Sequence, residues 1–342
     1  MKYKKKKPKI TLLVAVFCLL CTMWSGCAPK NAVYDKTGLY FDTIIQISVY
    51  DPDDTDALEG CMKLAAHYEQ LFSRTIPDSD ISRINNANGA FVDVDKETID
   101  LLQTGLAYCE RSNGAFDLTI GGVSDLWDFK ENEEKTLPDP TALKEAVSHV
   151  DYRNVKIRGN QAALTDPDAK LDLGGIAKGY IADQMKTYLL SQGVKTAKIN
   201  LGGNVLILGD QKPDHSDFKI GIQKPFDENG TPIAAITLKD QSMVSSGIYQ
   251  RYFEKDDRIY HHILDPDTGY PIENNLYAVT IISPRSADGD ALSTTCMALG
   301  LEDGIKLIES IPDTEAVFIT NDLKLHSTSG IGTSISLQEM HP

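Results

Sequence analysis

The sequence predicts an α+β fold of mostly antiparallel sheets with flanking helices. Two observations carry this. Apolar stripes at helical spacing occur early and singly, while strand-like segments follow in runs through the second half, which suits α+β rather than a doubly wound βαβ sheet. No low-complexity linker cuts the body in two, so it reads as a single unit.

In order along the chain, Asn31–Thr37 reads as the end of a polar tether and Ile44–Tyr50 alternates like a strand. Asp54–Phe72 carries Leu58, Cys61, Met62, Ala65, Tyr68 and Phe72 on one helical stripe. Lys96–Ser112 is a second helix, with Asp95 as N-cap and Gly114 beyond its end. Gly175–Ser191 is a third, stopped near Gly193. Strands are expected at Lys198–Ile207, Phe218–Gln223, Ile233–Leu238, Tyr260–Leu264 and Tyr277–Ser283, with Asp265–Gly269 as a turn. A helix pair, Ala291–Leu301 and Asp303–Ile311, leads to closing strands near Ala316–Thr320 and Leu323–Ser327.

The first 26 residues stand apart. Met1–Lys9 carries six lysines, Ile10–Thr22 is almost wholly apolar, and Trp24-Ser25-Gly26 leads into Cys27. This is the order of a signal peptide. A cysteine after Ser-Gly resembles a bacterial lipobox, in which Cys27 is lipidated and becomes the new N-terminus, although Trp24 stands where leucine is usual. The competing reading is an uncleaved anchor, since Ile10–Ala28 is barely long enough to span a bilayer. Both readings place the body outside the cytoplasm, and the first holds it at the bacterial cell membrane by lipid, on the outer face of the inner membrane or in the periplasm. Stable anchoring needs several acyl chains.

Loss of the six leader lysines takes the formal charge from −15 to −21. Nucleic-acid binding is excluded, because nothing basic is clustered to neutralise phosphates. A phosphate ligand would have to be held by a metal, backbone N–H groups or a few placed lysines. Cys61, Cys109 and Cys296 are scattered in apolar helical patterns. They read as small buried hydrophobes, not as a disulfide framework.

Several segments could carry chemistry. Leu171–Asp183, "LDLGGIAKGYIAD", is a strand-loop-helix junction. Its glycines allow close approach, its helix N-terminus offers free N–H groups, and Lys178 adds a point charge. The plain alternative is a tight turn with a solvated lysine. The Gly-Gly of "NLGGN", Asn200–Asn204, suggests a bulge or close approach of a ligand. His261 and His262 are adjacent on a strand, so they point to opposite faces and cannot both enter one site. Gly114–Phe129 places Asp117 beside apolar and aromatic residues, enough to hold a flat heterocycle or simply to form core. In "ADGDALSTT", Ala287–Thr295, Asp288 suits the start of a helix. Asp290 and Thr294 share one helix side, and their oxygens suit a hard cation.

Together with "FDT" at Phe41–Thr43, "DSDISRIN" at Asp78–Asn85, "SSGIYQRYF" and "HHILDPDTGYP", these segments resemble, in order, the FAD:protein FMN transferase family (ApbE-like flavin transferases). The resemblance runs from about Gly38 to the end, so it implies a tether over 27–37 and one catalytic domain over 38–342, of the T-fold-related type. It implies that FAD is cleaved at its pyrophosphate, that FMN is joined by a phosphoester to a threonine or serine hydroxyl of another protein, and that AMP leaves. The acceptor carries a [ST]-G-A-[ST] type motif; this chain has no such match, so a different exported or membrane protein, plausibly a redox subunit, is expected.

By resemblance, Asp290 and Thr294 supply side-chain oxygens to Mg²⁺ with Ser293 nearby, and the Gly175 carbonyl is a further ligand. Asp172, Lys178, Ala115, Phe116 and Asp117 match flavin-nucleotide contacts, and His262 and Ile263 match the segment lining the FAD site. Phe41 stands where the family usually has methionine, so a packing role carries over. Thr75 stands where many members have a stacking aromatic, and Ser245 where threonine is usual. Acceptor activation needs a general base, for which His262 and Asp290 both qualify. FAD is anionic and so is the chain, so Mg²⁺, Lys178 and helix N–H groups must overcome the overall field. Two alternatives share the site: a Mg²⁺-dependent FAD pyrophosphatase giving FMN and AMP, and a non-catalytic flavin-binding lipoprotein.

Overall fold

The computed structural model describes residues 32–127, 129, 136–227 and 229–340. The expected signal peptide and its lipidation site Cys27 lie outside the described residues.

The first hairpin pairs β1 (Tyr34–Tyr40) with β2 (Thr43–Val49). Its turn residues Phe41 and Asp42 both have positive φ, 52° and 53°, the geometry whose twist matches a two-residue hairpin. The tether expected over 27–37 is corrected at its end: Tyr34 already belongs to the sheet. Polar residues on the exposed side of β1 had hidden the strand.

Helix α1 (Thr55–Phe72) buries the stripe its spacing predicts. Next come α2 (Asp80–Asn85), β3 (Val92–Asp93) and α3 (Lys96–Arg111). Asp95 is the N-cap residue of α3, but its side chain makes no cap bond. Buried Asp80 ties the entry instead, accepting from the Asp95 N–H at 2.8 Å and the Thr98 hydroxyl at 2.6 Å. Gly114, at φ 87°, ends this helix by donating to the Cys109 carbonyl. Helices α4 (Gly121–Trp127) and α5 (Pro140–Ser148), with strands β4 (Val155–Arg158) and β5 (Gln161–Leu164), lead to α6 (Ala177–Ser191). Gly193, at φ 86°, closes α6.

Strands β6 (Ala197–Leu201) and β7 (Asn204–Leu208) replace the single strand expected there. Gly202 and Gly203, at φ 62° and 99°, are the turn between them rather than a bulge. The rest of the chain supplies β8 (Phe218–Gln223), β9 (Pro232–Leu238), β10 (Ser242–Gly247), β11 (Tyr252–Lys255), β12 (Arg258–His261), β13 (Leu276–Ser283), α7 (Ser286–Glu309), β14 (Glu315–Thr320), β15 (Leu325–Ser327) and β16 (Leu337–Glu339). The expected helix pair is α7, interrupted at Gly300 (φ 78°) and begun five residues earlier, at Ser286.

One eight-stranded sheet, ordered β1-β2-β6-β7-β10-β13-β14-β15, organises the molecule, and its strand pairs are antiparallel. Leu206 and Leu208 face the core beneath α1 and α6, while Val205 and Ile207 face a second core with β8 and β9. Burial on both faces explains the unbroken apolar run of β7. Cys61, Cys109 and Cys296 are free and buried. Among the described residues no helix is long and apolar enough to cross a membrane.

Candidate active site

The N-termini of α6 and α7 meet over the sheet, and glycine permits it. A Cβ on Gly179 would lie 2.3 Å from the Ser286 carbonyl oxygen. At this crossing two aspartates exchange caps. Asp290 of α7 accepts from the Gly179 N–H of α6 at 2.9 Å. Asp183 of α6 accepts from the Ser286 and Ala287 N–H groups of α7 at 2.8 and 3.0 Å. The helix start expected of Asp288 is thus capped from another element. Asp183 closes the Leu171–Asp183 segment, but a lone aspartate inside a helix reads as a solvated face, so the pattern gives it no role of its own. Burial outweighs its backbone bonds and raises its carboxyl to about 6.

Asp290 is 3% exposed, with Oδ1 3.5 Å from Lys178 Nζ. One turn on, Thr294 Oγ1 has no hydrogen-bond partner among the described residues and lies 3.4 Å from where a Gly175 Cβ would stand. A Cβ there would also come within 2.9 Å of the Phe116 ring. The absent side chain leaves a cradle between the Asp290–Thr294 turn and the Gly174–Lys178 loop. Carboxylate, hydroxyl and backbone oxygens fit a hard divalent cation. The Ser293 hydroxyl is already engaged, by Ser246 Oγ at 2.7 Å and the Asp290 carbonyl at 2.9 Å; it braces the turn.

The two histidines separate, but not by strand alternation: β12 ends at His261, short of the expected Leu264, and His262 lies just beyond it. His261 is 4% exposed and packs inward, with Nε2 3.1 Å from the Ile272 carbonyl and Nδ1 accepting from Ile263 N–H. His262 is half-buried on the Lys178 side, its Nδ1 3.2 Å from the Arg251 carbonyl. Burial, then the Arg251, His261 and Lys178 charges, lower its pKa to about 4, so the ring is neutral at pH 7. With Nδ1–H donated to Arg251, Nε2 keeps a free lone pair.

The other expected site residues surround this centre with different commitments. Phe41 walls a small cavity with Lys178, Ile181 and Leu201, and its N–H donates to Glu69. Phe116 is buried over Gly175, with Ala115 half-buried beside it. Asp117 accepts from Thr119 N–H and Oγ1 and from Tyr152 N–H, so its carboxylate is committed to holding the loop. Asp172 accepts from Gly174 N–H at 2.8 Å and pairs with Arg74 at 2.8 Å. That pair spans 98 residues, which no local pattern announces, and Arg74 also pairs with Asp125. Ile263 is 4% exposed in the core beneath α7, so it shapes the site from behind. Thr75 is exposed and bonded to Ser73. Ser245 bonds Thr280 Oγ1 at 2.8 Å. Elsewhere, His149, Asp166 and Asp168 form a separate cluster that spacing did not reveal.

An antiparallel α+β scaffold that brings an aspartate, a threonine hydroxyl and a lysine together where two helix N-termini cross is the frame of this site. The family model described as the ApbE family matches residues 41–318. This chain belongs to that family.

The FAD:protein FMN transferase of Treponema pallidum (strain Nichols) is 34% identical over 334 residues, 92% of each chain. That of Klebsiella pneumoniae (strain 342) is 36% identical over 295 residues, 85% of this chain and 90% of its own. The crystal structure of the ApbE protein from Thermotoga maritima MSB8 superposes with a TM-score of 0.80 at 31% identity, covering 87% of this chain and 97% of that one. The flavin transferase ApbE from Vibrio cholerae gives 0.77 at 25% identity, with 87% and 97% covered.

Proposed function

We infer that this chain is an FAD:protein FMN transferase. It moves the FMN half of FAD onto a threonine or serine hydroxyl of an exported or membrane protein and releases AMP. The observation that carries the reading is the cradle of Asp290, Thr294 and Gly175 beside Lys178, in a chain similar over most of its length to proteins of that name.

Asp290, Thr294 and the Gly175 carbonyl would hold Mg²⁺, with Ser293 bracing the turn. When bound, the cation neutralises charge building on the pyrophosphate oxygens. The chain's own groups do the rest. Lys178 binds and orients the phosphates with its ammonium group, since the N–H groups of Ala177 and Gly179 at the start of α6 are already held by the Leu173 carbonyl and Asp290. The acceptor oxygen forms a bond to the flavin-side phosphorus as the bond to the AMP oxygen breaks. The leaving group departs as AMP, and the acceptor proton passes to His262. Asp290 is less suited to that proton, since one oxygen receives Gly179 N–H and the other faces Lys178. Phe116, Ala115, Asp172 and Phe41 line the approach of the nucleotide. Cys27 lipidation would hold this chemistry at the outer face of the cell membrane, where a redox subunit bearing a [ST]-G-A-[ST] type motif is the fitting acceptor.

The test is to incubate the protein with FAD, Mg²⁺ and an acceptor domain bearing that motif, and to weigh the acceptor. A mass gain equal to FMN with AMP in solution is expected. Free FMN and AMP with an unmodified acceptor would instead establish a pyrophosphatase, and FAD bound without turnover would establish a flavin-binding protein.

A further inference from the structure

Asn204, the first residue of β7, is 3% exposed, and neither its amide oxygen nor its amide nitrogen has a hydrogen-bond partner among the described residues. A buried amide brings an acceptor and two donors, and leaving all of them unpaired is costly. Such groups persist where a ligand or an ordered water completes them.

Its place in the sheet says which. Leu206 and Leu208 pack beneath α6, and Val205 and Ile207 face the opposite core. Side chains alternate along a strand, so Asn204 faces α6. Its cross-strand partner is Leu201, which walls the cavity shared by Phe41, Lys178 and Ile181. On the other flank, Met243 of β10 pairs with Val205, which brings Val244 alongside Asn204. Val244 lies against Gly289 of α7, and two residues on Ser246 holds Ser293. Asn204 thus lies on the sheet face beneath α6 and α7, between Leu201, which walls the Lys178 cavity, and Val244, which packs against α7.

We propose that Asn204 is a substrate-binding residue whose amide pairs with a donor-acceptor group of bound FAD; this rests on the FAD reading above. Phosphate oxygens only accept and would leave the amide oxygen unpaired. The partner must both give and take a hydrogen bond, as a sugar hydroxyl or a ring amide edge does. The FMN half and the AMP half each carry such groups.

The test compares wild type with Asn204→Leu, which is of similar volume. Melting temperature without ligand is measured, together with dissociation constants for FAD, FMN and AMP. The expected result is an unchanged or higher melting temperature with FAD bound at least tenfold more weakly. The same loss on FMN alone puts the contact on the flavin half, and on AMP alone on the adenosine half. An unchanged FAD dissociation constant, at any melting temperature, overturns the proposal and leaves the amide to an internal water. Should Asn204→Leu fail to fold, Asn204→Ser carries the same comparison. A wild type that does not bind FAD overturns the functional reading itself.

Discussion

Gly179 and Ser286 meet more closely than any side chain would permit: a Cβ on Gly179 would stand 2.3 Å from the Ser286 carbonyl oxygen and 2.7 Å from the Ala287 Cα. Both obstacles are backbone, so relief requires moving one helix against the other. Gly179→Ala is therefore expected to destabilise the fold by about 2 kcal/mol or more, in the range of overpacking, although alanine is the better helix former. Urea denaturation of the two proteins checks this, and equal midpoints would refute the close crossing.

Asp290 has two duties that substitution can separate. Asp290→Asn keeps an oxygen for the Gly179 N–H and loses the charge facing Lys178. Turnover should fall at least a hundredfold, the order seen when one charge-stabilising group is removed, with little change in melting temperature. Asp290→Ala should lose turnover and also about 1 kcal/mol of stability with the cap. Steady-state assay beside thermal denaturation distinguishes them. Full activity in Asp290→Asn would refute the cation assignment.

His261 gives the fold an acid-side weakness. Burial lowers its pKa to about 4, against about 6.5 in the unfolded chain. Between those values the unfolded state binds a proton that the native state does not. Its contribution is fully present above pH 6.5 and is lost as pH falls toward 4, with a slope of about 1.4 kcal/mol per pH unit. Asp183 acts in the opposite sense, because its raised carboxyl, at about 6, keeps a proton that the unfolded chain gives up. Stability curves from pH 7 to pH 4 for wild type and His261→Gln should diverge at neutral pH and converge toward acid. Parallel curves would show that His261 titrates normally.

Cys27→Ser should release the protein from membranes into the soluble fraction of fractionated cells. If the variant stays with the membrane, the leader is acting as an uncleaved anchor.

The helices were legible in the sequence where one face is buried and the other wet, as in Leu58 to Phe72, or where glycine must stop the chain, as at Gly114 and Gly193. β1 was not, because its exposed side carries Asp35 and Thr37. The β6–β7 turn was not, because a strand apolar on both faces reads straight through Gly202-Gly203. At the site, Lys178 and Asp290 could be joined only through family resemblance. Gly179 and Asp290 lie 111 residues apart, and neither short pattern points to the other. Asp183 and Asn204 sit at the ends of two legible segments and Arg74 outside them, and none of the three showed a role, because a single polar residue acquires its meaning only in the folded chain.

The exchange of caps between Asp183 and Asp290 also gives the molecule an isotopic clock. The amides of Gly179, Ser286 and Ala287 swap their hydrogens for deuterium only when the two helix ends part. A ligand that engages Asp290 and the start of α6 holds those ends together. Occupancy of the site is thereby written into the exchange lifetimes of three backbone hydrogens, where it can be read without any chemistry taking place.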